Sequence, residues 1–337
     1  MLEIRNLSTS FQTTAGEARA VDDISFTVNA GENFGLVGES GCGKTTAVKS
    51  IIKLLPPNGR IVAGQILFQG RDLVPLPPEE IRRIRWKQIS MISQSAMNAL
   101  DPVYRVGDQI VEAIQAHESV GRTEAMERAR SLFALVGIDG KRLTDYPHQF
   151  SGGMKQRSII AMALALDPSL IIADEPTTAL DVIVQDQILR RIQGLLASRQ
   201  ASMILITHDI SVVAEMCDRV GVMYAGKIVE IGAVAPLFKR PCHPYTLGLQ
   251  NAFPSVHGEK QELISIPGSP PKLVNPPPGC RFAPRCPFAE AACRTEPPAM
   301  REISPGHLAA CRRLDRIDEM RQAAARKETW DRVEAAA

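Results

Sequence analysis

Gly38-Glu39-Ser40-Gly41-Cys42-Gly43-Lys44-Thr45 is the stretch that decides the fold. It fits G-x-x-x-x-G-K-[ST] at every position. Glycines let backbone N–H groups turn inward around phosphate oxygens, where a side chain would clash. Lys44 offers a point charge to the β- and γ-phosphates, and the Thr45 hydroxyl suits Mg²⁺. The apolar residues 33–38 predict a strand before the loop, and 45–55 a helix after it, stopped by Pro56-Pro57-Asn58-Gly59. A chance lysine in a glycine turn would leave that strand and helix unexplained. The helix dipole then adds to the anion site.

Outward from the loop, residues 2–8 and 21–28 read as strands, and 60–70 as a strand pair. Residues 79–166 read as mostly helical, with one strand at 89–93. Strands at 170–173 and 203–207, helices at 182–199 and 210–216, and a hairpin at 220–224 and 227–231 follow. The pattern predicts an α/β core with a helical insertion. The composition changes near Pro236, after which proline is dense to about Pro305. Such a segment needs a staple to hold one shape. Residues 312–337 read as a charged, solvent-exposed helix.

The 337 residues include 45% hydrophobic and 23% charged side chains, enough for a sizeable core. A net charge of +2 gives no basis for expecting a nucleic-acid partner. The N-terminus lacks a secretory signal, and no run approaches the ~18 apolar residues of a spanning helix. Work at a membrane would therefore need spanning helices from other subunits.

Leu170-Ile171-Ile172-Ala173-Asp174-Glu175 is an apolar strand ending in two carboxylates. Asp174 suits Mg²⁺ held through water, and Glu175 suits a general base that polarises the attacking water. Ser151-Gly152-Gly153-Met154-Lys155-Gln156-Arg157 is a second anion cradle: Ser151 as N-cap, two glycines, then a helix N-terminus. It resembles the signature motif of ATP-binding cassette (ABC) proteins, with Phe150 and Met154 where leucine and glutamine are commoner.

The remaining cassette motifs stand in order. By resemblance, Gln94 is the glutamine that senses Mg²⁺ and the attacking water. Asp181 closes the Ala179-Leu180-Asp181 loop that meets a partner subunit. The resemblance likewise implies that His208 contacts the γ-phosphate and that Phe11 stacks on adenine. The resemblance covers residues 1–235 and implies an ABC-type P-loop NTPase core. That core is a RecA-like mixed sheet with an antiparallel β subdomain and a helical signature subdomain over about 95–165. It implies catalytic roles for Glu175, His208 and Gln94. ATP contacts are implied at Gly38, Glu39, Ser40, Gly41, Cys42, Gly43, Lys44, Thr45 and Thr46. In this family one ATP is enclosed between one subunit's phosphate loop and the other's Ser-Gly-Gly cradle.

Gln94 to Pro102 and Asp174 to Val182 resemble the ATP-binding subunits of dipeptide and oligopeptide importers. So do His243-Pro244-Tyr245-Thr246 and Ile266-Pro267-Gly268, in an extension over 236–337 that carries the cysteines. This resemblance implies a peripheral subunit at the cytoplasmic face of an inner membrane that powers import of dipeptides and oligopeptides. The implied partners are a second, related ATPase in a heterodimer, two permease subunits and an extracytoplasmic solute-binding protein. Nickel or another small solute is the alternative cargo. A soluble cassette ATPase is the other class, but only one cassette is present. Only 56 residues separate Gln94 from Ser151, against the long coiled-coil insertion of DNA-repair forms.

Cys280, Cys286, Cys293 and Cys311 are spaced C-x5-C-x6-C-x17-C, with no C-x2-C pair. Without a secretion signal the cluster points to metal rather than disulfides. Four thiolates suit Zn²⁺ or a [4Fe–4S] cluster, either of which supplies the missing staple, with free thiols as the third reading. Likeness to peptide-importer subunits with this tail implies the iron–sulfur cluster.

Overall fold

The computed structural model describes residues 1–93, 99–176, 182–252 and 263–334. Gln94 and Asp181 lie outside these residues. In chain order come β1 (Leu2–Thr13), β2 (Gly16–Val28), β3 (Asn33–Val37), α1 (Lys44–Ile51), β4 (Gly59–Phe68), β5 (Arg71–Asp72), α2 (Pro78–Ile84) and β6 (Ile89–Ile92). Next are α3 (Val106–Gln115), α4 (Arg122–Leu135), α5 (Gly152–Ala163), β7 (Leu170–Asp174), α6 (Val182–Arg199), β8 (Ser202–Ile206), α7 (Ile210–Met216), β9 (Arg219–Tyr224) and β10 (Lys227–Ala233). The tail adds α8 (Val234–Lys239), α9 (Pro244–Asn251), α10 (Ala291–Thr295), β11 (Arg301–Ser304), β12 (His307–Ala309), α11 (Ile317–Ala324) and α12 (Lys327–Glu334).

Contacts divide the chain into two compact units. One takes in Met1–Thr27, Phe34–Val74 and Thr207–Ala337; the other, Val28–Asn33 and Pro75–Ile206.

The first unit holds an antiparallel sheet in the order β2-β1-β4-β5, and strands in the order β11-β12-β10-β9-β3. β3 runs parallel to β9, with Phe34 opposite Arg219 and Val37 opposite Val222. β1 and β2 run longer than the apolar residues suggest, because the polar residues 9–20 continue as paired strands. Residues 60–70 form one strand, β4, instead of a pair. It pairs with the short β5 on one side and with β1 on the other, with a register shift between Arg5 and Ser8. Asn6 at that shift has φ 48, and a Cβ on Gly64 would meet the Asn6 carbonyl at 2.5 Å. Glycine is required there to let the bulge close.

The second unit holds β6, β7 and β8 in parallel. β7 and β8 are buried at every position. Parallel strands covered on both faces read as continuous apolar runs, which is why both were visible in the sequence. In α4, Ala125, Ala129, Leu132 and Phe133 are buried, the i, i+4, i+7, i+8 stripe of a helix with one covered face.

The tail is more regular than its proline content suggests. Pro244 sits in the first turn of α9, where its missing N–H costs nothing. β12 pairs with β10, Glu230 opposite Ala309, so the tail extends the first unit's sheet. The expected single exposed C-terminal helix is two helices, and Met320, Ala324 and Trp330 on them are buried. Their apolar residues are too widely spaced to register against the surrounding charge.

Candidate nucleotide site and cysteine cluster

The phosphate loop links β3 to α1 in the first unit. Gly38, Gly41 and Gly43 have φ 151, 76 and 108. A Cβ on Gly38 would lie 2.0 Å from the Met223 carbonyl oxygen, so only glycine fits. Lys44 is buried and folds back across the loop. Its Nζ donates to the carbonyls of Gly38 (2.7 Å) and Glu39 (3.0 Å). Those acceptors are ones that phosphate oxygens can replace. Ser40 and Gly41 are exposed at the loop's crown, Thr45 and Thr46 are half-buried in the first turn of α1, and burial pushes the Cys42 thiol up.

Two further predicted residues also lie in the first unit. The Phe11 ring lies over Gly59, where a Cβ would meet it at 2.6 Å. His208 is exposed, directly before Asp209, which caps α7 through Ser211 N–H (2.8 Å).

In the second unit, Asp174 ends β7 with 2% of its surface exposed. Glu175 follows with φ 48, its N–H donating to the Ile206 carbonyl at 2.8 Å. A non-glycine residue held in this region stores strain that its surroundings must offset. Ser151 caps α5 by accepting from Met154 N–H (3.3 Å), leaving Gly152 and Gly153 as the first helical residues. The structure ties this cradle to the acidic strand end: Gln156, on the same helix, donates its side-chain amide to the Pro176 carbonyl.

Cys280, Cys286, Cys293 and Cys311 line one cavity with Phe282 and Phe288. Cys280 N–H donates to the Cys293 carbonyl at 2.7 Å, closing the loop that carries them. Burial raises the thiols of Cys280 and Cys286, and that of Cys311 to about 11. Among the described residues, only Glu230, Cys242 and His307 place three metal-type donor atoms within 4.8 Å of one another. No three of the four cavity cysteines therefore gather that closely. The Glu230 group is already satisfied by the protein. Its carboxylate accepts from Cys242 N–H (2.7 Å), His243 N–H (2.9 Å) and His307 Nε2 (2.8 Å). Arg321 also lies 3.1 Å from Cys242 Sγ, a cation where a metal ion would have to bind. This network anchors the tail hairpin to β10.

The ABC transporter family model matches residues 21–178, and that of the oligopeptide/dipeptide transporter C-terminal region matches 229–293. The oligopeptide transport ATP-binding protein OppD of Salmonella typhimurium is 46% identical, over 92% of this chain and 93% of its own. The chain belongs to the oligopeptide/dipeptide branch of the ABC transporter ATP-binding proteins. Another relative in this branch, the dipeptide transport ATP-binding protein DppD of Bacillus subtilis, is 48% identical over 92% of this chain and 94% of its own. The dimeric ATP-binding cassette MJ0796 bound to ADP and Pi shares the fold, with TM-score 0.64 and 24% identity. That alignment covers 69% of this chain and 99% of the cassette. The ABC ATPase core expected from the sequence is therefore the fold of this branch member.

Sequence reasoning missed what holds the loop in place. Glu39 N–H donates to Tyr245 Oη at 2.8 Å, and the Glu39 carboxylate accepts from Arg285. The only local signal was Tyr245 within the His-Pro-Tyr-Thr stretch of the tail.

Proposed function

We propose that this chain is the ATP-hydrolysing subunit that powers uptake of dipeptides or oligopeptides through membrane permeases. The observation that carries this reading is the joint presence, in one chain, of the phosphate loop and the matched oligopeptide/dipeptide tail. Among the described residues no helix is long and apolar enough to cross a membrane, which supports a role beneath separate spanning subunits.

The roles of the phosphate-loop and acidic-strand residues follow from their chemistry, and the others from resemblance. Lys44 exchanges its carbonyl partners for β- and γ-phosphate oxygens, while the glycine turns present N–H groups to the same anion. Thr45 and Asp174 are the residues that would hold Mg²⁺, which neutralises phosphate charge when bound. Glu175 takes a proton from the attacking water. Ser151, Gly152 and Gly153 offer an anion cradle to the nucleotide of a partner ATPase. Gln94, Asp181, His208 and Phe11 keep the roles implied by resemblance. ATP thereby joins two ATPase subunits and hydrolysis releases them, the γ-phosphate being the differential contact.

The full assembly in this reading pairs the chain with a second, related ATPase on the cytoplasmic face of the inner membrane. Two permeases and an extracytoplasmic solute-binding protein complete it. Exposed Val103 and Tyr104, beside the segment 94–101, suit the permeases' cytoplasmic helices. The cavity cysteines are the ligands of a [4Fe–4S] cluster. Zn²⁺ is the alternative ion for the same four thiolates.

The test is uptake by the reconstituted complex. Glu175→Gln is expected to keep ATP binding and abolish uptake of labelled di- and oligopeptides. Uptake at the wild-type rate, or transport of nickel in preference to peptide, would overturn the reading.

A further inference from the structure

The phosphate loop is held from outside by the tail, and the holding residue adjoins the cysteine cluster. Glu39 is fixed twice: its N–H by Tyr245 Oη (2.8 Å), its carboxylate by Arg285 Nη1 (3.0 and 2.8 Å). Arg285 is buried, its side chain only 7% exposed. Its other nitrogens are committed to tail carbonyls, Nε to Pro267 (2.8 Å) and Nη2 to Ile266 (3.2 Å). Nη1 also meets Tyr224 Oη at 3.3 Å. Phe282 packs edge-on against both Tyr224 and Tyr245, at 5.2 and 5.4 Å between centroids. Removing one partner of a buried charge pair is costly because the other is left uncompensated.

Arg285 immediately precedes Cys286, and Arg281 immediately follows Cys280. Arg281 is buried too and donates to the Asp22 carboxylate on β2 and to the Ala225 carbonyl in the β9–β10 turn. The next residue in that turn, Gly226, donates its N–H to the Cys42 carbonyl of the phosphate loop (2.8 Å). Two arginines beside two cysteines thus brace the loop, one directly and one through a turn. Arg285 ends a single short turn, Ala283–Arg285, that lies between Cys280 and Cys286.

We propose that Arg285 is a positioning residue that couples metal occupancy of the four-cysteine site to the affinity of the phosphate loop for nucleotide. With metal bound, the 280–286 segment is held, Arg285 keeps Glu39 in place, and the loop stays shaped for phosphate. With metal gone, the staple is lost and the loop relaxes. Linkage makes the effect reciprocal, so bound nucleotide retards metal loss by the same factor. The proposal rests on the reading that these cysteines hold metal, which iron and zinc analysis of the isolated protein tests on its own.

The experiment uses the full chain purified anaerobically, with a fluorescent ATP analogue as probe. Stripping the metal with a chelator is expected to raise the analogue's Kd about tenfold, close to 1.4 kcal/mol. Arg285→Ala should raise Kd similarly with metal content unchanged, and stripping should then add almost nothing. Glu39→Gln removes the partner without touching the tail and should abolish the same coupling, even if Arg285→Ala folds poorly. Saturating analogue should slow metal release from the wild type but not from either variant. An unchanged wild-type Kd on stripping, or an equal rise in wild type and both variants, overturns the coupling. A protein that never contains iron or zinc overturns the metal reading, and the coupling with it.

Discussion

A Cβ on Gly43 would stand 2.2 Å from the carbonyl oxygen of Ala20. That oxygen belongs to β2, a backbone group that cannot swing aside as a side chain can. Gly43 also has φ 108, outside the range of L-residues. Gly41 differs: its φ is 76, but nothing lies within 4 Å of its Cβ position. Gly41→Ala is therefore expected to cost only the left-handed backbone penalty, about 1–2 kcal/mol. Gly43→Ala should cost more and lose nucleotide binding beyond tenfold. Thermal melting and equilibrium binding on the two variants check the ranking; equal losses would mean that the clash does not govern the loop.

Gln156 is 2% exposed, and its amide is the link from the signature helix α5 to Pro176. Gln156→Leu keeps the bulk but leaves the Pro176 carbonyl without that donor, a cost of about 1–3 kcal/mol. The effect lands beside Glu175, whose left-handed φ depends on its neighbours. The expected result is at least a tenfold fall in turnover by the assembled transporter, with ATP affinity within about twofold of wild type. Steady-state hydrolysis and direct binding separate the two quantities, and a matched loss of affinity would count against this account.

What could be read in the sequence was what local physics dictates. Three glycines with positive φ, a lysine and a threonine specify the phosphate loop wherever it occurs, and α6 and α7 fall on residues 182–199 and 210–216 as their periodicity predicts. The brace behind the loop was hidden, because Glu39 and Arg285 are 246 residues apart. Neither is unusual for its surroundings: one is an acidic residue at a variable motif position, the other an arginine in a proline-rich stretch. Burial of a charge pair is a property of the packed chain and leaves no periodic trace. The same holds for Trp330, which follows Lys327 and Glu328 and precedes Asp331 in the sequence while its ring packs on Gly248.

His307 and His243 set opposite limits on stability. The Cys242 sulfur and the Glu230 carboxylate push His307 up to about 9. The folded chain then keeps a proton that the unfolded chain releases above about 6.5. The stability it adds is complete below about pH 6.5 and is lost as pH rises through about 9. At its fullest it is on the order of 3 kcal/mol. Burial takes His243 down to about 3. Its contribution is complete above about 6.5 and is lost as pH falls toward 3. Urea midpoints measured across pH should fall on both sides of neutrality. His307→Gln is expected to flatten the alkaline limb alone; an unchanged slope between pH 7 and 9.5 would remove His307 as its cause.

Trp330 tests whether the tail helices matter to the nucleotide site at all. It is 1% exposed, its Nε1 donates to the Ala324 carbonyl (2.9 Å), and its ring presses on Gly248 of α9. A Cβ on Gly248 would lie 2.6 Å from that ring, so the ring needs glycine there. Trp330→Ala leaves a large cavity and should cost about 3–5 kcal/mol. α9 also carries Tyr245, the acceptor for Glu39 N–H, so its loosening reaches the phosphate loop. The variant is therefore expected to melt lower and bind nucleotide several-fold more weakly, whereas Tyr245→Phe should weaken binding with a smaller loss of stability. Phenylalanine keeps the packing against Tyr224 and Phe282 but removes the oxygen. If Trp330→Ala lowers the melting temperature and leaves the affinity unchanged, the tail helices stabilise α9 without shaping the loop.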